Sequence, residues 1–463
     1  MCGFQRTLCL VVIACLSLRT HAQPAPDPVH LKSLLTQVNA HAPQLTSDSA
    51  AVLIRMAEAN EVRSAWLPNL NLNYQSDIGT NNNTAGPYFG FGIIPSDSRG
   101  VRPASNTNAS LVNLGIASLD WEVYNFGGYH AQNQFARSRI MVEQSHFGES
   151  KYELDVFTVS HYLTLVRLHD LLQIQQLNIS RNEQLIHTVV VLAKSGLRAG
   201  VDTSIAGAEL SKARLVYIEL AGQYKQEQQQ LSVISGIPSM LIVPDTTLED
   251  QLIEHGSLLA SFPGDSLNHP LIAYYQSRYQ SSQAAEQLAR RSYNPKLSIE
   301  ASAWGRGSSI SANDQFGPLA TGWGLDRSNY LIGLSISYNL TNLRRRQLKI
   351  RTEKLSTDYA YKQLGEQKAL LASSSSLASI ELQTSLSRLY EIPLQLKAAR
   401  DAYRQKFSLY KNGLSDIIEL DVALNVLYRA ETDFSQARNQ FALALFQKGL
   451  TENQLGLILN TIN

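Results

Sequence analysis

Apolar and polar positions follow two different periods along this chain, and the switch between them occurs twice. Residues 47–66 read as a helix, with Ser47 or Asp48 available as its cap and Pro68 ending it. Leu70-Asn71-Leu72-Asn73-Tyr74 then alternates at strand period. Residues 77–109 are rich in Asn, Gly, Pro and Ser and carry no period; a loop of that length inside a compact domain is normally functional or disordered. A second strand-like run ends in Leu119-Asp120-Trp121-Glu122-Val123-Tyr124, and Gly127-Gly128 closes it. From Tyr129 to Lys194 there is no proline and one glycine, Gly148. That stretch is long enough for a helix of about 100 Å. Gly196 and Gly200 interrupt it, a helix over Thr203–Ser235 follows, and residues 236–267 form a Pro/Gly-bearing connector.

The plan then starts again. His41-Ala42-Pro43 opens the first copy and Asn268-His269-Pro270 the second. After Pro295, Leu297, Ile299, Ala301 and Ala303 alternate with Lys296, Ser298, Glu300 and Ser302, a Gly/Ser/Asn-rich loop covers 305–328, and a strand over Leu331–Leu340 follows. Helix is expected over 342–410 with an interruption at Pro393, then a break at Gly413 and a last helix over 416–457. At an offset of 217 residues Trp121 meets Tyr338, Gly196 meets Gly413, Leu197 meets Leu414, Ala206 meets Ala423, Leu210 meets Leu427 and Ala213 meets Ala430. Self-similarity of this kind outranks any single motif. Within the last helix Ala423, Ala430, Ala437 and Ala444 recur every seven residues beside Leu427, Phe434 and Phe441; Leu382, Leu389, Leu396, Tyr403 and Tyr410 do so in its partner. A sustained seven-residue apolar repeat is a coiled-coil seam.

Composition narrows the class. Apolar residues make up 44% of the 463 and charged ones 17%, with 40 basic against 39 acidic. A nucleic-acid partner calls for a basic stripe that this balance does not supply. All three cysteines, Cys2, Cys9 and Cys15, lie in the first fifteen residues, which excludes CxxC redox chemistry, cysteine zinc sites and disulfide frameworks from the rest. That first segment reads as a signal peptide over 1–22: Arg6, an apolar run Leu8–Leu16, and Thr20-His21-Ala22 before Gln23. Its removal leaves 38 basic and 39 acidic residues, a net charge of −1. Val12-Ile13-Ala14-Cys15 also resembles a lipoprotein box, which would make Cys15 a lipid-bearing N-terminus. Both alternatives export the protein. No later stretch has the ~18 consecutive apolar residues of a membrane-spanning helix, so membrane residence would require a closed β-barrel. Four strands per chain cannot close one, since about eight are the practical minimum; several protomers would have to pool them.

The expected fold class is mixed α+β and mainly α, with a two-fold internal repeat. The first repeat covers 23–267, with strands at about 69–76 and 110–124 and a helical hairpin over about 128–235. The second covers 268–463, with strands at about 296–304 and 329–341 and a hairpin over about 342–457. Three segments carry a resemblance to a known family. Ala65-Trp66-Leu67-Pro68-Asn69-Leu70 is similar to the start of the first strand in the TolC-like outer-membrane efflux proteins of Gram-negative bacteria. Leu119-Asp120-Trp121-Glu122-Val123-Tyr124-Asn125-Phe126-Gly127-Gly128 resembles that family's strand-to-helix junction, and Tyr410-Lys411-Asn412-Gly413-Leu414-Ser415-Asp416-Ile417-Ile418-Glu419-Leu420 its lower helical turn. The resemblance implies a homotrimer with a twelve-stranded barrel in the outer membrane and an α-helical tunnel through the periplasm. The implied partners are a periplasmic adaptor, an inner-membrane pump of the RND or ABC type, and outer-membrane lipid.

Site residues follow from the same resemblance. Asp202 and Glu419, each six residues after a turn glycine, match the family's acidic tip positions, where three copies around one axis would repel anions. Tyr410 and Asp202 match positions that hold neighbouring helices closed. Ser415 stands where relatives often carry a latching arginine, and Val422 where a second acidic ring would lie; Asp416 and Asp421 are near but offset. Capping and the helix dipole alone also favour acids at Asp202, Asp416 and Glu419, all expected in a first helical turn. Gly196, Gly200 and Gly413 mark the hairpin turns and adaptor contact. Tyr74, Trp121, Tyr124, Tyr330 and Tyr338 flank strands as interfacial aromatics or as ordinary sheet packing. Arg344-Arg345-Arg346 reads as a solvated charge run, with head-group contact as the alternative; His161 and His169, eight apart, are structural. There is no HExxH, GxSxG or phosphate loop, so no enzyme activity, cofactor or metal is expected. The competing class is a periplasmic coiled-coil scaffold or adaptor, which would leave the membrane with carbonate where a barrel needs detergent.

Overall fold

A computed structural model describes residues 27–82, 104–259 and 268–461; the signal segment, the lipoprotein-box alternative at Cys15 and most of the first long loop lie outside the described residues. The elements run α1 Leu31–His41, α2 Pro43–Ser64, β1 Asn69–Gly79, β2 Ser110–Tyr124, α3 Gly128–Lys194, α4 Val201–Ser235, α5 Leu248–Leu259, α6 Pro270–Arg291, β3 Lys296–Ser308, β4 Arg327–Ser337, α7 Asn342–Lys411, α8 Ile417–Thr451 and α9 Leu455–Thr461. Two compact units result. One takes residues up to Ala50, Gln144–Tyr275 and Leu364–Asn463; the other takes Ala51–Glu143 and Gln276–Gln363. Each draws on both halves of the sequence.

Several local expectations are corrected. Helix α2 starts at Pro43, not at residue 47, so Ser47 and Asp48 are interior and cap nothing; proline suits a first helical position, where its missing N–H is not needed. Ahead of it α1 was overlooked, although Leu31, Leu34, Leu35 and Val38 are spaced as one helical face and are buried together. The connector holds α5, whose Leu248 and Leu252 join the same core. Pro393 lies inside an unbroken α7; the seam residues Leu382, Leu389 and Leu396 on either side stay at least half-buried and keep the helix in line past the lost hydrogen bond. The last helix ends at Thr451, where Asn453 takes a left-handed conformation (φ 56°) and α9 turns back.

The second unit contains a four-stranded antiparallel sheet in the order β1-β2-β3-β4. Its register pairs Leu70 with Leu119, Leu119 with Ala301 and Ala301 with Ile332, so these four share one face. The rows above and below continue it with Leu72, Ala117, Ala303 and Tyr330, then with Trp121, Ile299 and Leu334. The opposite face is polar along β1, with Asn69, Asn71, Asn73, Gln75 and Asp77, and mixed beyond it, where Ser118, Asp120, Glu300, Ser302 and Arg306 stand beside Leu114, Ile116, Trp304 and Leu331. A bulge between Glu122 and Tyr124 keeps Tyr124 on the apolar side.

The first unit is helical. Its main core joins α1 to Tyr162, Leu163 and Val166 of α3, Leu231 of α4, Leu252 of α5 and Phe441, Leu445 and Phe446 of α8. The seam alanines Ala423, Ala430, Ala437 and Ala444 are all buried. Among the buried acids is Glu249 of α5: 1% exposed, it accepts from Asn439 Nδ2 at 3.0 Å and lies 3.5 Å from Arg438 Nε. Burial outweighs those contacts and pushes its carboxyl up to about 7, with Asp170 on α3 and Asp250 on α5 adding repulsion. A raised acid holds its proton more tightly folded than unfolded, so its contribution to stability is full at and below the unfolded value and is lost as pH climbs through about 7. Glu249→Gln should therefore remove a stability loss on the order of 2–3 kcal/mol between pH 5 and pH 8. Thermal unfolding of both proteins at the two pH values checks this; parallel losses would discount Glu249.

Candidate functional site

The two hairpin turns are built alike. Helix α3 ends where Gly196 takes φ 74° and Leu197 N–H bonds Leu192 O at 3.0 Å; α7 ends where Gly413 takes φ 78° and Leu414 N–H bonds Leu409 O at 2.9 Å. This six-to-one closure requires a left-handed residue after the helix, which glycine adopts without a Cβ penalty. A β-branched residue at Gly413 should destabilise the hairpin by about 1–2 kcal/mol; a Gly413→Val protein with unchanged unfolding would contradict that. Gly200 is different: φ is −59° and any residue would serve. Leu197 and Leu414 project from the two turns, both mostly exposed.

Side chains from the two turns meet over Tyr410. It is fully buried, in a cluster with Leu185 and Val189 of α3, Ala206 of α4 and Ile417, Leu420 and Leu424 of α8. Its hydroxyl lies 3.5 Å from Asp202 Oδ2. Burial, with the Asp202 carboxylate adding to it, pushes the phenol above its ordinary value, so it stays a neutral donor. Arg198 lies over the ring, 4.8 Å from its centroid, and its guanidinium donates to the Ser415 carbonyl. Sequence reading overlooked Arg198 because it sought an arginine at 415; yet Arg198 and Ser415 are counterparts at the 217-residue offset, and the repeat itself was the signal.

The acids separate by role. Asp416 caps α8, its Oδ1 accepting from Glu419 N–H at 2.7 Å. Glu419 is half-exposed and paired: Lys406 Nζ is 2.9 Å and Ser415 Oγ 2.6 Å from Oε2. The hydroxyl hydrogen bond and then the lysine hold its carboxyl below the ordinary glutamate range. Lys406, also overlooked, means that Glu419 is no bare charge. Asp421 accepts from Asn425 of its own helix, and burial raises its carboxyl, helped by Glu209. Val422 is exposed.

On the sheet, Tyr74, Trp121, Tyr124 and Tyr330 share the apolar face, and Tyr338 follows β4. Trp121 packs edge-on to Trp66 at 5.2 Å and donates to its carbonyl at 2.9 Å; Tyr124 meets Phe126 at 4.8 Å. Leu325 lies over Gly115 and Gly305, where a Cβ would approach it to 3.4 and 3.2 Å. His161 pairs with Glu227 at 2.6 Å, and His169 bonds Gln173 of its own helix. Among the described residues no three metal-ligating side chains converge, and no helix is long and apolar enough to cross a membrane.

Comparison with known proteins follows the same lines. The family model described as outer membrane efflux protein matches residues 34–236 and 266–447. No curated protein matches the chain by sequence. Among solved structures, CusC, which changes conformation on folding and transmembrane channel formation, superposes with a TM-score of 0.75 at 14% identity, covering 94% of this chain and 95% of its own. The outer-membrane channel OprN gives 0.71 at 17%, over 92% and 90%. The outer-membrane channel CmeC of Campylobacter jejuni gives 0.72 at 13%, over 92% and 86%.

Proposed function

Since the chain belongs to the outer membrane efflux protein family, we propose that it is the trimeric exit duct of a tripartite export system, closed at its periplasmic end by the Tyr410 cluster and the Glu419–Lys406 pairs. The observation that carries this is the sheet: one face apolar across all four strands, the other mixed, polar along β1 but carrying Leu114, Ile116, Trp304 and Leu331 farther on, with β1 and β4 unpaired at its edges. Such edges are prohibitive in lipid unless other strands pair with them, and three copies would close a barrel of twelve. The aromatic rows fit a bilayer. Tyr338 and the register row of Tyr74 are ten residues apart, ~33 Å at 3.3 Å per residue, which a strand tilt of about 40° reduces to the ~25 Å of an apolar barrel band. Exposed Leu348, Leu355, Leu370 and Leu377 on α7 give the protomers an apolar surface to share. Leu197 and Leu414, beside Gly196 and Gly413, offer a periplasmic adaptor two matching apolar tips, and an inner-membrane pump would load the duct through it.

Planar-bilayer conductance of the mature protein tests the reading. Discrete cation-selective openings are expected; their absence from folded trimer would favour the scaffold class. Because Lys406 offsets Glu419, Lys406→Ala should raise cation preference severalfold and Glu419→Ala should turn it towards anions. The wild-type preference should survive acidification to pH 5 and fade only below the ordinary glutamate range, since a depressed carboxyl keeps its charge until pH falls through its own lower value. Identical selectivity in both variants would remove this pair from the conduction path.

A further inference from the structure

The end of the sheet that joins the helices carries a basic rim that the duct reading leaves unused. Arg290 and Arg291 close α6, Arg344, Arg345 and Arg346 open α7, and Arg63 stands in the last turn of α2. Hydrogen bonds bring these ends together: Arg346 Nη2 donates to Arg290 O at 3.3 Å, Asn294 Nδ2 to Phe126 O at 3.0 Å, and Tyr129 OH to Arg63 O at 2.7 Å. Two of the nearby acids are already engaged, Glu286 by Arg290 and Glu122 by Lys296. Arg63, Arg291, Arg344 and Arg345 are exposed and have no acidic partner among the described residues.

Local helix physics accounts for only part of this. Arg63, Arg290 and Arg291 suit the C-terminal ends of their helices, but three cations in the first two turns of α7 oppose the macrodipole there. Exposed Leu340, Leu343 and Leu348 flank them, and Trp66, Trp121, Tyr124 and Phe126 continue the same end of the sheet into its apolar face. Arginines beside exposed leucines and an aromatic row have the composition of a membrane interface, where stems lie in the apolar layer and guanidinium heads reach the phosphates.

We propose that this rim binds the phosphates of anionic phospholipids, of the phosphatidylglycerol type, in the membrane leaflet nearest the helices. The proposal rests on the sheet lying in the bilayer. Guanidinium groups match phosphate oxygens in charge and bidentate geometry, and juxtamembrane cations add attraction to an anionic leaflet.

Spin-labelled phosphatidylglycerol and phosphatidylcholine, each at trace level in phosphatidylcholine proteoliposomes holding the full mature protein, would report the motionally restricted fraction of each lipid. Wild-type protein should restrict the anionic lipid about three- to fivefold more than the neutral one. The Arg291→Gln/Arg344→Gln/Arg345→Gln variant should bring the ratio close to one, while Arg404→Gln on the distant part of α7 should leave it unchanged. Inorganic phosphate at 10 mM should displace little of the anionic lipid at constant ionic strength; full displacement would point to a free-phosphate site and overturn the lipid assignment. Equal restriction of both lipids by wild-type protein, or an unaltered ratio in a folded triple variant, would also overturn it. If the triple variant does not fold, Arg345→Gln alone should lower the ratio. Failure of the protein to float with the vesicles at all would instead defeat the membrane placement of the sheet.

Discussion

Arg198→Ala should open the periplasmic tip more than any other single change. The guanidinium donates to the Ser415 carbonyl and covers the Tyr410 ring, so it fastens the first-repeat turn to the second. A charge-assisted hydrogen bond contributes about 1.5–3 kcal/mol and a partly desolvated cation–π contact about 1–2. Allowing for partial replacement by water, a net loss of about 3 kcal/mol corresponds to a roughly hundredfold shift towards separated hairpins. Single-channel recordings should show this as a large rise in open probability or conductance. Tyr410→Phe removes only a contact of 3.5 Å to Asp202 while keeping the buried ring, and should shift the same equilibrium by less than about tenfold. Equal effects of the two substitutions would mean that packing of the tyrosine, not the arginine, holds the tip. Wild-type openings by Arg198→Ala would dismiss the latch.

The second large effect is on stability. Arg181 of α3 and Glu431 of α8 form a bidentate pair with both distances 2.7 Å, and Glu431 is 9% exposed. Arg181→Ala strands a carboxylate in that site. Removing one partner of a buried pair costs about 3–5 kcal/mol, whereas replacing both by apolar side chains of similar size is often neutral. Denaturant titration of the detergent-solubilised protein should therefore find Arg181→Ala severely destabilised and Arg181→Met/Glu431→Leu close to wild type. If the double variant is as unstable as the single one, the pair is itself a net stabiliser.

Legibility differed by kind of feature. Helix α3 could be placed to within a residue because glycine breaks, Gly127-Gly128 and Gly196, bound its helical stretch at both ends. Helix α1 is written as a helical face, Leu31, Leu34, Leu35 and Val38, but it is a single eleven-residue helix directly behind Pro24, Pro26 and Pro28, and only its burial in the core distinguishes it from a proline-rich leader. Pro393 misled in the other direction: proline's penalty is local, and seam packing on both sides outweighs it. At the candidate gate, Tyr410, Asp202 and Glu419 were named from sequence, but Lys406 and Arg198 were not. A lysine thirteen residues before its partner leaves no periodic trace, and Arg198 shows only through its 217-residue offset from Ser415 in the other turn.

By itself the sequence determined the features that repeat along the chain: the two turns at Gly196 and Gly413, the seven-residue alanine seam and the alternation in the strands. These depend on near neighbours, through backbone conformation and side-chain period, and near neighbours are written in order. Tertiary structure alone decided which charges meet. Glu419 became half of an ion pair with Lys406, and Arg198 came to lie on Tyr410, because electrostatic and hydrogen-bond partners are chosen by distance in space, and helices folded back at a turn bring together residues that the sequence keeps apart.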